Sequence, residues 1–251
     1  AAPEAGPDLS ALSPAEQQAV LSFAKQIDLE NAQQVLEYGA SAQKNIADFS
    51  DTALAKVKTG DLGEIGTMLS GLLVELKTLE EPEKKGIAGL FRKAKINSEE
   101  LKARFSTAEV NVDRISGELE KHKVTLLKDV AVMDQMYDRN LQYFKELTMY
   151  ILAGKQKLAE ARSTTLRELR EKAEASNLPE DAQAANDFEN KCVRFEKKLH
   201  DLELTRMISL QTAPQIRMIQ NNDTALVEKI QTSVLNTIPL WKNQMVLTLG
   251  I

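Results

Sequence analysis

Apolar residues recur at intervals of three and four positions through the middle of the chain. The first run starts at Phe105, and a second run resumes at Leu126, after His122. This spacing places the residues on one face of a helix, and the extra four-residue step marks a stutter in a heptad seam. Apolar and polar residues do not alternate over a stretch long enough to predict a strand. The seam consists of Phe105, Ala108, Val112, Ile115, Leu119, Leu126, Val130, Met133, Tyr137, Leu141 and Phe144.

A second amphipathic run follows a short polar turn. The sequence "SNLPED" combines Asn177, which favours the end of a helix, with Pro179, which favours the first turn of the next helix. Before it, "STTLRE" predicts a break at which Thr165 and Glu168 form a capping box. Two long amphipathic helices that are joined by a short turn predict an antiparallel α-hairpin. The returning helix carries Phe188, Cys192, Phe195, Leu199 and Leu202 at the same spacing.

The fold class that follows is all-α: an elongated helical protein with a long antiparallel coiled-coil-like α-hairpin and a smaller N-terminal helical region. Residues 1–12 are rich in Ala, Pro and Gly and predict a flexible tail. Residues 13–95 form the N-terminal helical region, which Ser13 opens as the N-cap of a capping box. Residues 96–251 hold the hairpin and a proline-bent, amide-rich helical segment. Because the chain begins without Met and ends on apolar residues, we expect further chain at both ends.

Two prolines in the last part of the chain belong to a repeated pattern. "LQTAPQIR" begins at Leu210 and "LNTIPLWK" begins at Leu235, 25 positions later. Seven helical turns span about 25 residues, so both prolines would lie on one face of a continuous helix. Each proline either kinks the helix, because it lacks a backbone donor, or follows a restart that is capped by Thr212 with Gln215 and by Thr237. Both alternatives predict two similar corners.

The segment from Met207 to Ile251 is poor in charge and rich in amides. It holds five charged residues in 45, where the chain average of 27% would give about twelve. Uncharged polar groups can be buried at far lower cost than ions if they are hydrogen-bonded. We therefore expect the segment to be covered, either by other helices of the chain or by a partner. The candidate partner surface is Gln211, Gln215, Arg217, Gln220, Asn221, Asn222, Trp241 and Lys242.

Composition limits the chemistry that the chain can perform. Its net charge of −5 disfavours a nucleic acid as the partner. The single cysteine, Cys192, cannot form an internal disulfide, and its place among apolar residues predicts a buried side chain rather than a redox thiol. His122 and His200 lie too far apart along the predicted hairpin to share a metal. The sequence contains no recognisable catalytic, cofactor-binding or metal-binding motif, and no apolar run that is long enough to span a membrane.

One short segment of the chain is basic. "KKGIAGLFRKAK" contains no acidic residue. It predicts either a solvated basic face or a site for an anion or for anionic lipid, since its apolar residues could lie at a membrane surface. The candidate anion or lipid patch is Lys84, Lys85, Arg92, Lys93 and Lys95.

Three blocks of the sequence carry a resemblance to a known family. "RFEKKLHDLELTRMISLQTAPQIRMIQNNDTALVEKIQTSVLNTIPLWKNQM", from Arg194 to Met245, closely resembles the TelA/KlaA toxic-anion-resistance family. "LLKDVAVMDQMYDRNLQYFKELTMYILAGKQKL" and "IDLENAQQVLEYGASAQKNIADFSD" resemble its central and N-terminal blocks. The resemblance implies a bacterial, cytoplasmic, helical protein that is associated with resistance to tellurite and with tolerance of envelope-targeting antimicrobials. It implies no catalytic residue.

The function that we expect is therefore non-enzymatic. The chain would be a cytoplasmic stress-response factor without a cofactor, acting as a helical scaffold or adaptor through protein–protein contacts. The resemblance implies Ter-type stress proteins as candidate partners, and self-association is the other candidate. The alternative is a peripheral membrane protein that binds anionic lipid through residues 84–95.

Overall fold

The structure, a computed structural model, describes residues 7–59, 62–78 and 98–249. These residues are helical apart from short connections and contain no strand, which confirms the all-α class. A π-helical turn at Ser233–Thr237 separates the last two α-helices. The α-helices are α1 (Pro14–Ala24), α2 (Ala32–Glu37), α3 (Ala40–Thr59), α4 (Leu62–Thr78), α5 (Ser98–Ser163), α6 (Thr165–Ser176), α7 (Pro179–Thr232) and α8 (Ile238–Leu249).

The chain divides into two compact units, and each unit contains two separate segments of sequence. Unit 1 combines Ala1–Ala55 with Met136–Ile216, and unit 2 combines Lys56–Gln135 with Arg217–Ile251. Helices α5 and α7 therefore each contribute residues to both units. Nothing in a local sequence pattern marks these divisions, because they depend on contacts between residues far apart in the chain.

Unit 1 packs α1, α2 and α3 against an antiparallel pair formed by parts of α5 and α7. The antiparallel direction follows from two ion pairs, Arg162 with Glu196 at 2.7 Å and Lys155 with Glu203 at 2.5 Å. Its core is apolar and includes Val20, Ala24, Ile27, Leu29, Val35, Tyr38, Ala42, Ile46, Leu147, Ile151, Ala153, Leu158, Ala161, Leu166, Phe188, Cys192, Phe195, Leu199 and Leu202. Leu9 and Leu12, from the predicted N-terminal tail, pack against this core.

The unit 1 core contains a cluster of aromatic rings around Tyr38. Tyr38 is 6% exposed and lies 5.0 Å from Phe195 and 5.4 Å from Tyr150 between ring centroids. Its hydroxyl donates a 2.7 Å hydrogen bond to the main-chain carbonyl of Tyr150. Burial raises the pKa of Tyr38. The tyrosine therefore fixes the end of α2 to the backbone of α5, with its polar atom satisfied.

Two glycines allow the helices of unit 1 to approach closely. Gly39 has a φ of +68°, and a Cβ there would lie 2.7 Å from a methyl carbon of Leu202. A Cβ on Gly154 of α5 would overlap a methyl group of Leu199 on α7 and lie 3.3 Å from its Cγ. Neither position can hold a larger residue unless the buried leucine moves.

The predicted hairpin turn is confirmed. Asn177 ends α6 in the left-handed conformation, with φ 54° and ψ 22°. Pro179 is the first residue of α7, and Glu180 and Asp181 follow in its first turn. Each residue type suits its position, because asparagine tolerates positive φ and acidic side chains favour a helix N-terminus.

The predicted break before this turn is also confirmed, but its predicted capping box is wrong. Helix α5 ends at Ser163, and Thr164 rather than Thr165 is the N-cap of α6. No side chain caps this end of α6. The hydroxyl of Thr164 donates instead to the carbonyl of Glu160, at 2.7 Å. The threonine thus bonds back to the preceding helix.

Unit 2 packs α4 against parts of α5 and α7 and against α8. Trp241 is 3% exposed, and its ring centroid lies 5.4 Å from that of Phe105. Arg217 of α7 pairs with Asp134 of α5 at 2.7 Å, and Lys242 of α8 pairs with Asp113 of α5 at 2.8 Å. Within unit 2, α7 and α8 therefore run antiparallel to α5. The core contains Ile65, Leu72, Leu76, Ala108, Val112, Ile115, Leu119, Leu126, Val227, Ile230, Ile238, Trp241 and Met245.

The two proline corners differ in local structure. Pro214 lies inside α7, which continues through it, whereas Pro239 follows the π-helical turn, where the N–H of Ile238 donates to the carbonyl of Ser233. The predicted cap at Thr212 is wrong, because its hydroxyl donates to the carbonyl of Ile208, at 2.8 Å.

The two copies of the repeat share their pattern of burial instead. Both prolines are exposed. Two positions later, Ile216 is fully buried in unit 1 and Trp241 is 3% exposed in unit 2. The repeated pattern therefore places a buried side chain two positions after each proline.

Candidate functional site

The inner side of α7 in unit 1 carries buried polar residues. Ser209 is 1% exposed and Asn140, on α5, is 4% exposed. The Asn140 amide donates to the Ser209 carbonyl at 3.0 Å, and the Ser209 hydroxyl donates to Asn140 Oδ1 at 2.9 Å. This reciprocal pair satisfies both side chains, and each such bond contributes about 1 kcal/mol.

Helix α3 supplies the other partners of this polar layer. The Gln43 amide donates to the Thr205 hydroxyl at 2.9 Å and accepts from Lys198 at 3.2 Å. Thr212 is 3% exposed, and its hydroxyl oxygen lies 3.3 Å from that of Ser50. In unit 1, other helices of the chain therefore cover Ser209 and Thr212, at the start of the amide-rich segment. This is the first of the two predicted alternatives.

Between Leu204 and Gln215, the exposed residues of α7 are all uncharged. Leu204, Met207 and Ile208 are 55%, 49% and 40% exposed. Gln211 and Gln215 are exposed as well and continue the same side of the helix. We call these five residues the outer face. Neither glutamine side chain hydrogen-bonds to another residue in the part of the chain that the structure describes.

Three apolar residues of this outer face were missing from the predicted partner surface. In the sequence, Leu204, Met207 and Ile208 look like parts of the same apolar run as Leu202. They fall on the opposite side of α7, because they are two, five and six positions further along a helix with 3.6 residues per turn. Separating the apolar positions of α7 into two faces would have found them.

In unit 2, two of the predicted surface residues belong to an internal network. Gln220 is 9% exposed, and its amide donates to the carbonyl of Val130 at 3.3 Å. Arg217 donates to Gln220 Oε1 at 2.5 Å and pairs with Asp134 at 2.7 Å. The hydrogen bonds from Gln220 and Arg217 hold the pKa of Asp134 below its ordinary value. Asn221 and Asn222 are exposed.

Two further predicted surface residues also face inward in unit 2. Trp241 lies in the core, and its indole N–H has no hydrogen-bond partner within the described residues. Lys242 is half-buried between Asp113, at 2.8 Å, and Glu109, at 3.3 Å. Its hydrogen bond to Asp113, followed by that to Glu109, raises the pKa of Lys242 above its ordinary value. Four of the eight predicted residues are therefore exposed: Gln211, Gln215, Asn221 and Asn222.

One carboxyl group of unit 2 is buried without such compensation. Asp223 is 6% exposed, and no side chain in the described part of the molecule pairs with it. Burial, and then the charge of Asp129, raise the pKa of Asp223. This group destabilises the folded unit when it is ionised.

The groups that could perform redox or metal chemistry do not come together. Cys192 is fully buried, and burial raises the pKa of its thiol. In unit 2, His122 Nε2 lies 4.0 Å from Glu64 Oε1. In unit 1, His200 Nδ1 lies 3.7 Å from Glu203 Oε2. Among the described residues, no group of three or more potential metal ligands is found.

One groove of unit 1 has a volume of about 470 Å³ and is open to solvent. Its charged side chains are engaged in ion pairs, Lys155 with Glu203 at 2.5 Å and Glu196 with Arg162 at 2.7 Å. Nothing in this arrangement leaves a charge free for a ligand. The groove is lined by Pro7, Lys155, Leu158, Ala159, Glu196, Leu199, His200 and Glu203.

The predicted anion or lipid patch lies outside the described residues. Lys84, Lys85, Arg92, Lys93 and Lys95 all belong to the segment between Thr78 and Ser98. The lipid-binding alternative therefore stays a prediction from the sequence. In the ranges that the structure describes, no helix has the length and apolar character needed to cross a bilayer.

Comparison with known proteins gives a consistent relationship. Residues 20–251 match the family model described as toxic anion resistance protein (TelA). The chain is 42% identical over 241 residues to a TelA-like protein of Staphylococcus epidermidis, covering 94% of this chain and 64% of that protein. It is 42% identical over 247 residues to a TelA-like protein of Staphylococcus saprophyticus, covering 96% and 66%. The chain thus spans less than two thirds of the length of these relatives. No solved structure matches it.

Proposed function

The chain belongs to the toxic anion resistance (TelA) family, and on this premise we propose that it is a non-enzymatic factor in bacterial resistance to toxic anions such as tellurite. It works in the cytoplasm as a helical scaffold or adaptor that makes protein–protein contacts under stress. Tolerance of envelope-targeting antimicrobials would follow from the same contacts.

The outer face of α7 carries this proposal. Its apolar members Leu204, Met207 and Ile208 are between 40% and 55% exposed, in a chain of which 27% of the residues are charged. Exposed apolar side chains that are grouped on one side of a helix, with uncharged polar neighbours, are typical of a protein-binding surface. Methionine and glutamine side chains adapt readily to a partner, since both are long and unbranched.

The state of the reactive groups supports a contact role rather than a chemical one. A thiol reacts as its thiolate, and the burial of Cys192 disfavours that form. The basic side chains that the structure shows near the described groove are paired with carboxylates, as in Lys155 with Glu203 and Arg162 with Glu196. These pairs leave little positive charge there for an oxyanion.

Substitution of Ile208 by glutamate tests the proposed contact surface. The charge would be placed on a side chain that is 40% exposed, so the free protein tolerates it while a buried contact does not. In a host that lacks its own family member, we expect Ile208→Glu to abolish growth in tellurite while circular dichroism shows unchanged helicity.

The matched control for this experiment is Gln142→Glu. Gln142 is exposed on α5 of unit 1 and is not part of the outer face. This variant receives the same charge and is expected to keep full resistance. Full resistance in Ile208→Glu would contradict the proposal, as would equal loss in both variants.

A further inference from the structure

We draw no further inference here: the strongest candidate, the exposed apolar and amide side of α7 in unit 1 between Leu204 and Gln215, is an unpartnered helix face, and nothing in the structure shows what covers it.

Discussion

Replacement of Gly154 by alanine tests the closest approach of two helices in unit 1. The added Cβ would overlap a methyl group of Leu199 and lie 3.3 Å from its Cγ. Leu199 is 3% exposed, so it cannot turn away without displacing the core around it. Overpacking of this kind costs about 2 kcal/mol. Alanine also gains about 1 kcal/mol over glycine inside a helix. The expected net effect is a loss of about 1 kcal/mol in the free energy of unfolding.

Gly117 provides the matched control on the same helix. It also lies inside α5, but no described atom would come within 4 Å of its added Cβ. Gly117→Ala should therefore gain the full helix propensity, about 1 kcal/mol. The two variants then differ by about 2 kcal/mol, which is about a thirtyfold difference in the folding equilibrium.

Urea denaturation followed by circular dichroism at 222 nm measures this difference. We expect the midpoint to fall for Gly154→Ala and to rise for Gly117→Ala, relative to the parent chain. The double variant Gly154→Ala with Leu199→Ala should be more stable than the sum of the two single changes predicts, because the smaller side chain removes the overlap. A gain in stability for Gly154→Ala equal to that of Gly117→Ala would refute the packing described here.

Two further substitutions test the buried polar groups. Asp223→Asn should stabilise the chain at neutral pH, because the raised pKa of this carboxyl means that stability is present below its ordinary pKa of 3.8 and is lost as the pH rises through the folded value. The gain from asparagine should therefore disappear in acid, and an equal shift of the urea midpoint at pH 7 and pH 3.5 would contradict this prediction. Asn140→Ala should lower the free energy of unfolding by about 2 kcal/mol, because the buried hydroxyl of Ser209 loses its hydrogen-bond partner. The control is Asn190→Ala, at an exposed position. Equal urea midpoints for the two variants would show that the Asn140–Ser209 pair contributes nothing to stability.

The sequence predicted those parts of the fold that depend on local signals. The turn at Asn177 and Pro179 follows from residue types that favour a helix end and a helix start, and both fulfil that role in the structure. The proline corners were less predictable. Whether a proline is absorbed in an α-helix, as at Pro214, or lies beside a π-helical turn, as at Pro239, depends on the packing of the surrounding helices.

The candidate site was predicted in part, for a related reason. The low charge of the amide-rich segment correctly indicated coverage of Ser209 and Thr212 by other helices of the chain. It did not indicate which side of α7 faces the core, because a polar layer interrupts the apolar pattern there. The low charge of the segment and the repeated motif predicted a surface position for Trp241, but it lies in the core of unit 2 beside Phe105.

The buried position of Trp241 gives the protein a pair of built-in optical reporters. It is the one tryptophan of the chain, and it belongs to unit 2. The four tyrosines, Tyr38, Tyr137, Tyr143 and Tyr150, all belong to unit 1. Indole emission therefore follows the opening of one unit, and the near-ultraviolet circular dichroism of the tyrosines chiefly follows the other. The unfolding of each unit can be recorded in the same sample, without any label.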